Sequence, residues 1–404
     1  MPGRTGTAAR LALAAALLAA SGCAHVHTGA AIKEPHDDPT KVNIALLDHG
    51  SYPDQRQPPL GTVRSELGGS EVEAQRMATN VALPTQVSPE LTDPFPQFTG
   101  IITRGQGLRE LVSDEVASAA EANHYVTGFN TERAGAIGSA PARLLSSAVF
   151  RFATPEDASA AATAMSAAPD SALMRQSAPA TIVPIPAHPA TLAWLYQVDG
   201  GFNISAYTAH GPYVFYQYAG SKASIDAAAA LVGATVDVQG PLIDGFAATP
   251  VDKLTTLPID PTGLLARTVP AKQASVNAVA VYTPHAALHF EPNLDAAQKM
   301  YTALGIDAVA VYRTWVYQTK DAAAATAGMG QLLAATVASP QSYVPTPGVP
   351  GLPQARCYTR NGDPDSRYLC MATADRYLFK VTAAQDVDAR QAISAQYLML
   401  TAPK

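Results

Sequence analysis

The same strand-and-helix pattern occurs twice in this sequence, and that duplication limits its folds more than any other feature. Ser147-Ala148-Val149-Phe150-Arg151-Phe152 reads as a strand, followed by an Ala-rich helix from Pro155 through Met165. Thr154 supplies a cap, Pro155 a first-turn proline, and Glu156 and Asp157 N-terminal acids. Downstream, Trp315-Val316-Tyr317-Gln318-Thr319 reads as a strand, with an Ala-rich helix from about Asp321 to Val337. Val149 then corresponds to Val316, and Phe150 to Tyr317. Leu192 to Val198 and Ala355 to Thr359 are the next strands. Ile204 to Tyr218 holds two strands around His210-Gly211-Pro212, and Tyr368 to Val381 two around Ala374-Asp375-Arg376. Tyr213-Val214-Phe215 aligns with Tyr377-Leu378-Phe379, and each copy ends in a helix, near 224–232 and 386–400. The order β-α-β-β-β-α predicts an α+β fold of two related domains. Each would be an antiparallel sheet with helices packed mainly on one face. A single continuous sheet shared by both copies is the alternative.

At 404 residues, two or three domains are expected. The expected boundaries are 42–250 for the N-terminal domain, 251–270 for a Pro-rich linker and 271–404 for the C-terminal domain. Val42 to Leu47 reads as an opening strand, and a helix is expected after Ser70, stopping before Pro84. Leu108 to Val116 reads as one more helix. Val279 to Tyr282, a helix near 294–304 and Val309 to Val311 would echo residues 42–130.

Residues 1–22 read as an export signal. Arg4 and Arg10 precede an apolar run from Leu11 to Ala20, about half of what a bilayer span needs. The run meets Ala20-Ser21-Gly22-Cys23, which resembles the bacterial lipoprotein signal, in which the cysteine is lipidated and becomes the mature N-terminus. That resemblance implies at least two acyl chains on Cys23, enough to hold a protein at a membrane. Residues 23–41, with His25, His27, His36, Asp37 and Asp38, read as the lipidated cysteine and a flexible tether. The net charge is -6, and nothing basic runs longer than two residues, so nucleic acid is excluded as a partner.

Cys357 and Cys370 remain. The repeat alignment sets them over Leu195 and Ala206, apolar positions on consecutive strands. Adjacent antiparallel strands bring Cα atoms within disulfide reach, so the pair is expected to be bonded, at about 2–3 kcal/mol.

No catalytic signature stands out. Gly105-Gln106-Gly107 lacks the third glycine of a dinucleotide loop, and Gly220-Ser221-Lys222 lacks the earlier glycine of a phosphate loop. His285 and His289, with Glu291 nearby, have metal spacing on a helix, but Pro284 and Pro292 make the segment read as a strand or bend. Asp48 and His49, with Ser51 or Ser70, form a nominal hydrolase trio without fixed geometry. Asn361, Asp363 and Asp365 read as a hairpin turn rather than a calcium loop. Neither a metal nor a cofactor is expected. Tyr213, Phe215, Tyr216 and Tyr218 are mainly core by their alternation. The sharper reading makes Tyr213, Tyr216 and Tyr218 part of an aromatic ligand cleft.

The chain resembles an uncharacterised lipoprotein family of mycobacteria and related actinobacteria, with paired domains of unknown function. The residues that carry this are the signal with Cys23, Val42-Asn43-Ile44-Ala45-Leu46-Leu47-Asp48, Gly50, Tyr52-Pro53 and Pro58-Pro59-Leu60-Gly61. Glu73-Ala74-Gln75-Arg76-Met77 and Ala287-Leu288-His289-Phe290 also carry it. The resemblance implies a location and no reaction. The expectation is a lipid-anchored protein of the cell envelope, facing the periplasm or cell wall. It would be non-enzymatic and bind a small apolar ligand, a cell-wall component or an envelope protein. The alternatives are an anchored hydrolase using residues such as Asp48, His49 and His289, or a structural surface protein.

Overall fold

The computed structural model describes residues 40–94, 98–137, 140–168, 180–198, 200–271, 279–337, 342–361 and 364–403. The expected signal, Cys23, nearly all of the tether, and Asp363 lie outside the described residues.

Two antiparallel sheets form, one from each copy. The first copy runs β2 (Gly100–Ile102), α3 (Gln106–Leu111), α4 (Asp114–Ala122), β3 (Tyr125–Ile137), β4 (Ala140–Phe152), α5 (Pro155–Ala167), β5 (Thr181–Ile182), β6 (Leu192–Val198), β7 (Gly201–His210), β8 (Tyr213–Ser221) and α6 (Ile225–Asp244). It is preceded by α1 (Glu66–Met77), α2 (Pro84–Val87) and β1 (Asp93–Pro94). The second copy runs β9 (Ala280–Tyr282), α7 (Pro284–Leu288), α8 (Leu294–Leu304), β10 (Ala308–Val311), β11 (Trp315–Gln318), α9 (Ala322–Ala327), α10 (Met329–Thr336), β12 (Tyr343–Thr346), β13 (Arg356–Arg360), β14 (Tyr368–Ala374), β15 (Tyr377–Ala383) and α11 (Asp386–Thr401).

The strand order is β1-β3-β4-β8-β7-β6-β5 in the first sheet, with β2 also on β3, and β9-β10-β11-β15-β14-β13-β12 in the second. From β2 and β9 onward the two topologies are the same. The expected equivalences of Val149 with Val316 and of Phe150 with Tyr317 hold in the ladders. Val149 faces Phe215 as Val316 faces Phe379, and Phe150 faces Val214 as Tyr317 faces Leu378. Even the turns agree, since Gly211 and Asp375 are both left-handed, at φ 53° and 49°.

The helices flank both faces of each sheet. In the first, α5 packs on the face carrying Phe150 and Tyr216, and α6 on the face carrying Ile204 and Ala219. Both faces are apolar, so each needs a cover. One core joins the copies: Phe129, Val149 and Phe215 of the first sheet pack with Met77 of α1, Ala287 of α7 and Leu378 of the second sheet. Residues 251–270 are folded too, as 3-10 turns with Leu254, Leu264, Leu265 and Val269 buried.

Several local expectations need correction. Val42 to Leu47 is not a strand. Asn43 Oδ1 accepts from the Ala45 amide and sets a 3-10 turn, and Leu47 packs in the second sheet's core. The echo of residues 280–311 therefore begins at Gly100, not at Val42. Helix α1 begins at Glu66, because Ser65 caps the Gly68 amide. The span from Leu108 to Val116 is split between α3 and α4, because Ser113 starts a new helix by capping Val116. The segment with His285 is helical, because Pro284 sits in the first turn, where a missing N–H costs nothing, and Thr283 caps it.

Cys357 and Cys370 are bonded and lie opposite each other on β13 and β14. In the first copy the residue opposite Ala206 is Ala193, not Leu195. Ala193 and Ala206 are 13 residues apart, as Cys357 and Cys370 are, so the equivalent of Cys357 is Ala193, two residues before the expected Leu195.

Candidate functional site

The copies differ most on the sheet face covered by α5 in the first and by α8, α9 and α10 in the second. In the first copy this face is filled with rings. Phe150 stacks on Tyr216 at 5.8 Å, Tyr207 meets Tyr216 at 5.3 Å, and Tyr125 meets Phe150 and Phe152 edge-on at 5.7 Å. In the second, Tyr317 stands where Phe150 does, and Lys380 stands where Tyr216 does.

Lys380 lies on β15 directly opposite Trp315 of β11, so both side chains project from one face. Its ammonium is 3.1 Å from Glu291 Oε2, 4.5 Å from the Trp315 ring centre and 5.4 Å from that of Tyr317. Glu291 follows α7 and is fully buried. Its Oε1 accepts from the hydroxyls of Tyr301, at 2.9 Å, and Tyr317, at 2.6 Å. Burial pushes the Lys380 ammonium below its usual range, and Glu291 pulls it back up. Burial first, then the Glu291 charge, holds both phenols well above theirs. The tyrosines therefore stay protonated and donate to the carboxylate.

Lys380 lines a cleft of about 620 Å³. Phe290, Val311, Trp315 and Tyr343 supply apolar wall, and Arg313 and Arg360 add two further cations. No carboxylate side chain lines it among the described residues. Arg360 lies over the Tyr343 ring at 5.4 Å. Arg313 is held by Asp388 at 2.6 Å and by the Thr382 carbonyl at 2.7 Å. The size suits a small molecule, and a few polar groups converging on an apolar wall are what such sites use. The cleft offers donors and rings. Thr336, Ser366 and Thr382 add hydroxyl groups to its lining.

A second cavity, of about 460 Å³, lies between α1 and β9, with Val72, Phe246, Ile259 and Val281 in its wall. Its one cation, Arg76, is committed to Glu73 and Thr249. Glu73 also takes Arg151 and the Thr249 amide, so this buried carboxylate is saturated.

The residues singled out in the sequence do not assemble into one site. Tyr213 projects into the core shared by the copies, and Tyr216 into the ring-filled face, with Tyr218 packed against its edge. None of the three lines either cavity. Asp48 accepts from Gln391 and the Gly50 amide, and His49 Nδ1 contacts the Tyr52 carbonyl. Ser51 is exposed and Ser70 is buried in α1. His289 is elsewhere, buried between Thr131 and the Ala78 carbonyl, and burial holds it well below the usual imidazole range, so it is neutral. Its ring stands 5.6 Å from that of His285, which is spent on the Val81 carbonyl. The pair fastens α7 to the turn after α1. Among the described residues no three His, Cys, Asp or Glu side chains form a metal-holding group.

Sequence reasoning missed Lys380, Trp315, Arg360 and Tyr343, and took Glu291 only as a neighbour of the histidines. The repeat alignment held the signal. It sets a lysine against Tyr216 in a strand otherwise aromatic and aliphatic.

Among family models, the one described as domain of unknown function DUF7373, N-terminal, matches residues 60–259, and its C-terminal counterpart matches 264–402. No curated relative matches. Among solved structures, the chain is similar to the extracellular domain of PknH from Mycobacterium tuberculosis, at 12% identity and a TM-score of 0.27. That match covers 41% of this chain and 95% of the other. A likeness at that level carries no argument here.

Proposed function

For a chain that belongs to the DUF7373 family, we propose a lipid-anchored envelope protein that binds a small ligand and catalyses no reaction on it. The observation that carries the binding is the cleft beside Trp315, where a buried ammonium and a rim of two arginines meet an apolar wall. The anchor rests on the sequence at Cys23. Attachment in this reading is through the lipidated cysteine; among the described residues no helix is long and apolar enough to cross a membrane.

Two measurements test the reading. The intact mass of protein purified natively should exceed that of the chain from Cys23 by a diacylglycerol-sized increment, lost in Cys23→Ala. An unmodified chain released into the medium would end the anchored reading. For the cleft, the chain's two tryptophans allow a clean reporter. In Trp194→Phe only Trp315 emits, and the aromatic anion 8-anilinonaphthalene-1-sulfonate should quench it. Tyr343→Ala should weaken that binding at least fivefold. No saturable quenching of Trp315 would end the binding reading.

A further inference from the structure

Lys380 has more hydrogen-bonding capacity than this protein uses. An ammonium carries three N–H donors, and among the described residues Lys380 spends one, on Glu291. The other two are not exposed to bulk water, since the side chain is only 6% accessible. The ammonium lies over the Trp315 and Tyr317 rings, and both Lys380 and Trp315 line the cleft. A buried donor left unmade is costly. The rest of the molecule shows the contrast. Glu73, the other deeply buried acid with a cationic partner, takes Arg151, Arg76 and both polar groups of Thr249, and keeps no capacity in reserve. Glu291 takes three bonds, two phenols on one oxygen and Lys380 on the other. The unused capacity of the network is thus mostly donor, two N–H groups of Lys380 against one acceptor site on Glu291.

We propose that the cleft takes an oxyanion group, carboxylate or phosphate ester, attached to an apolar body, with its oxygen seated on Lys380 and its body against Phe290, Val311 and Trp315. This rests on the cleft being the binding site. The charge pattern favours an anion over a neutral acceptor. Three cations and no carboxylate face the cavity among the described lining residues, and a charge-assisted bond in a water-poor site is about twice as strong as a neutral one. Glu291 does not repel such a group fully, because two tyrosine O–H dipoles point at its Oε1 on the side away from Lys380. The wall sets the rest of the specificity, since apolar side chains reward an alkyl or ring body and give a free inorganic anion nothing.

Three probes with one alkyl chain separate the possibilities: octanoate, octyl phosphate and 1-octanol. Each is titrated into the full Trp194→Phe chain while Trp315 emission is followed. The acids should bind at least tenfold more tightly than the alcohol, and whichever acid is tighter identifies the source, fatty acid or phosphate ester. The double variant Glu291→Gln with Lys380→Met, which removes both charges at similar volume, should bring the three probes together. Wild-type geometry gives the same test without a core substitution. Below the pKa of an alkyl carboxyl group, about 4–5, octanoate should lose its advantage over octanol. If all three probes bind alike at neutral pH, the oxyanion proposal fails and the cleft reading stands. If none changes Trp315 emission, both fail.

Discussion

The two sheets share a strand order and a register, yet they fill the same face in opposite ways. In the first copy, Phe150, Tyr216, Tyr207 and Tyr125 close it with rings. In the second, Tyr317, Lys380 and Glu291 replace part of that packing with an ion pair, and the sheet ends in an open cleft. Beyond the shared ladder the two hairpins also diverge. The first runs on, with Glu132 opposite Ser146, buried and accepting from the Phe98 amide, and the second turns at once, with Arg313 in the turn and lining the cleft. The first copy shows that this topology folds with rings alone. A buried ion pair is commonly no better for stability than apolar residues of like volume. The charges of the second copy are therefore surplus to the fold, and surplus of this kind points to use.

That contrast breaks most visibly at Lys380. Lys380→Met alone leaves Glu291 buried with its two phenols and without its cation. The cost should be about 3–5 kcal/mol in urea unfolding. Adding Glu291→Gln should return most of that loss, since no charge then remains buried. A single variant costing under about 1 kcal/mol would show that the pair is looser than its geometry. A double variant as poor as the single would show that the ion pair itself holds the second sheet together.

Glu132 sharpens the contrast through pH. Burial lifts its carboxyl to about 7, opposed by the Phe98 amide. The sign follows from proton counting. Below about 4.5 the group is protonated in both folded and unfolded chains and contributes no slope. Between there and about 7 the unfolded chain releases a proton that the folded chain keeps, so stability falls as pH rises. Above about 7 both states are ionised and the slope ends. The total loss has an upper limit of about 3 kcal/mol. Glu132→Gln should remove it, so the variant gains on wild type from pH 5 to about pH 7 and the gain levels off above that in parallel urea titrations. Equal slopes would place the carboxylate in contact with water.

Much of this was legible in the residues, and the failures have physical causes. The repeat could be read because paired strands must place like side chains at like positions, so Val149 and Val316, or Tyr213 and Tyr377, survive as markers. The disulfide was legible for the same reason, since Cys357 and Cys370 fall on neighbouring strands. Val42 to Leu47 misled because apolar content alone does not distinguish a strand from a turn docked on someone else's sheet, and here Asn43 decides for the turn. His285 and His289 misled because Pro284 was taken as a breaker, when at the start of a helix it is a preferred residue. The cleft was sought beside Tyr216, the right position in the pattern and the copy in which rings fill it. Its counterpart, Lys380, reaches its partner Glu291 across 89 residues of sequence, and no local pattern records such a contact.

The finest test concerns the phenols, where the copies differ by single oxygen atoms. Tyr317 and Phe150 are equivalent, and the hydroxyl that distinguishes them donates to a carboxylate at 2.6 Å. Tyr317→Phe removes a bond to a charged group and leaves Glu291 with one phenol and Lys380, so it should cost about 1.5–2 kcal/mol. Tyr282 is the control. It is equally buried in the shared core, but its hydroxyl has no hydrogen-bond partner among the described residues. Tyr282→Phe should therefore be neutral or slightly stabilising, since it deletes a buried oxygen that bonds to nothing. The two variants lose the same atom from the same residue type at similar depth. A difference near zero in their unfolding midpoints would mean that the Glu291 network is no tighter than ordinary core. A Tyr317 loss above 1 kcal/mol beside a Tyr282 loss near zero would place the phenols in the network that holds Glu291 beneath Lys380.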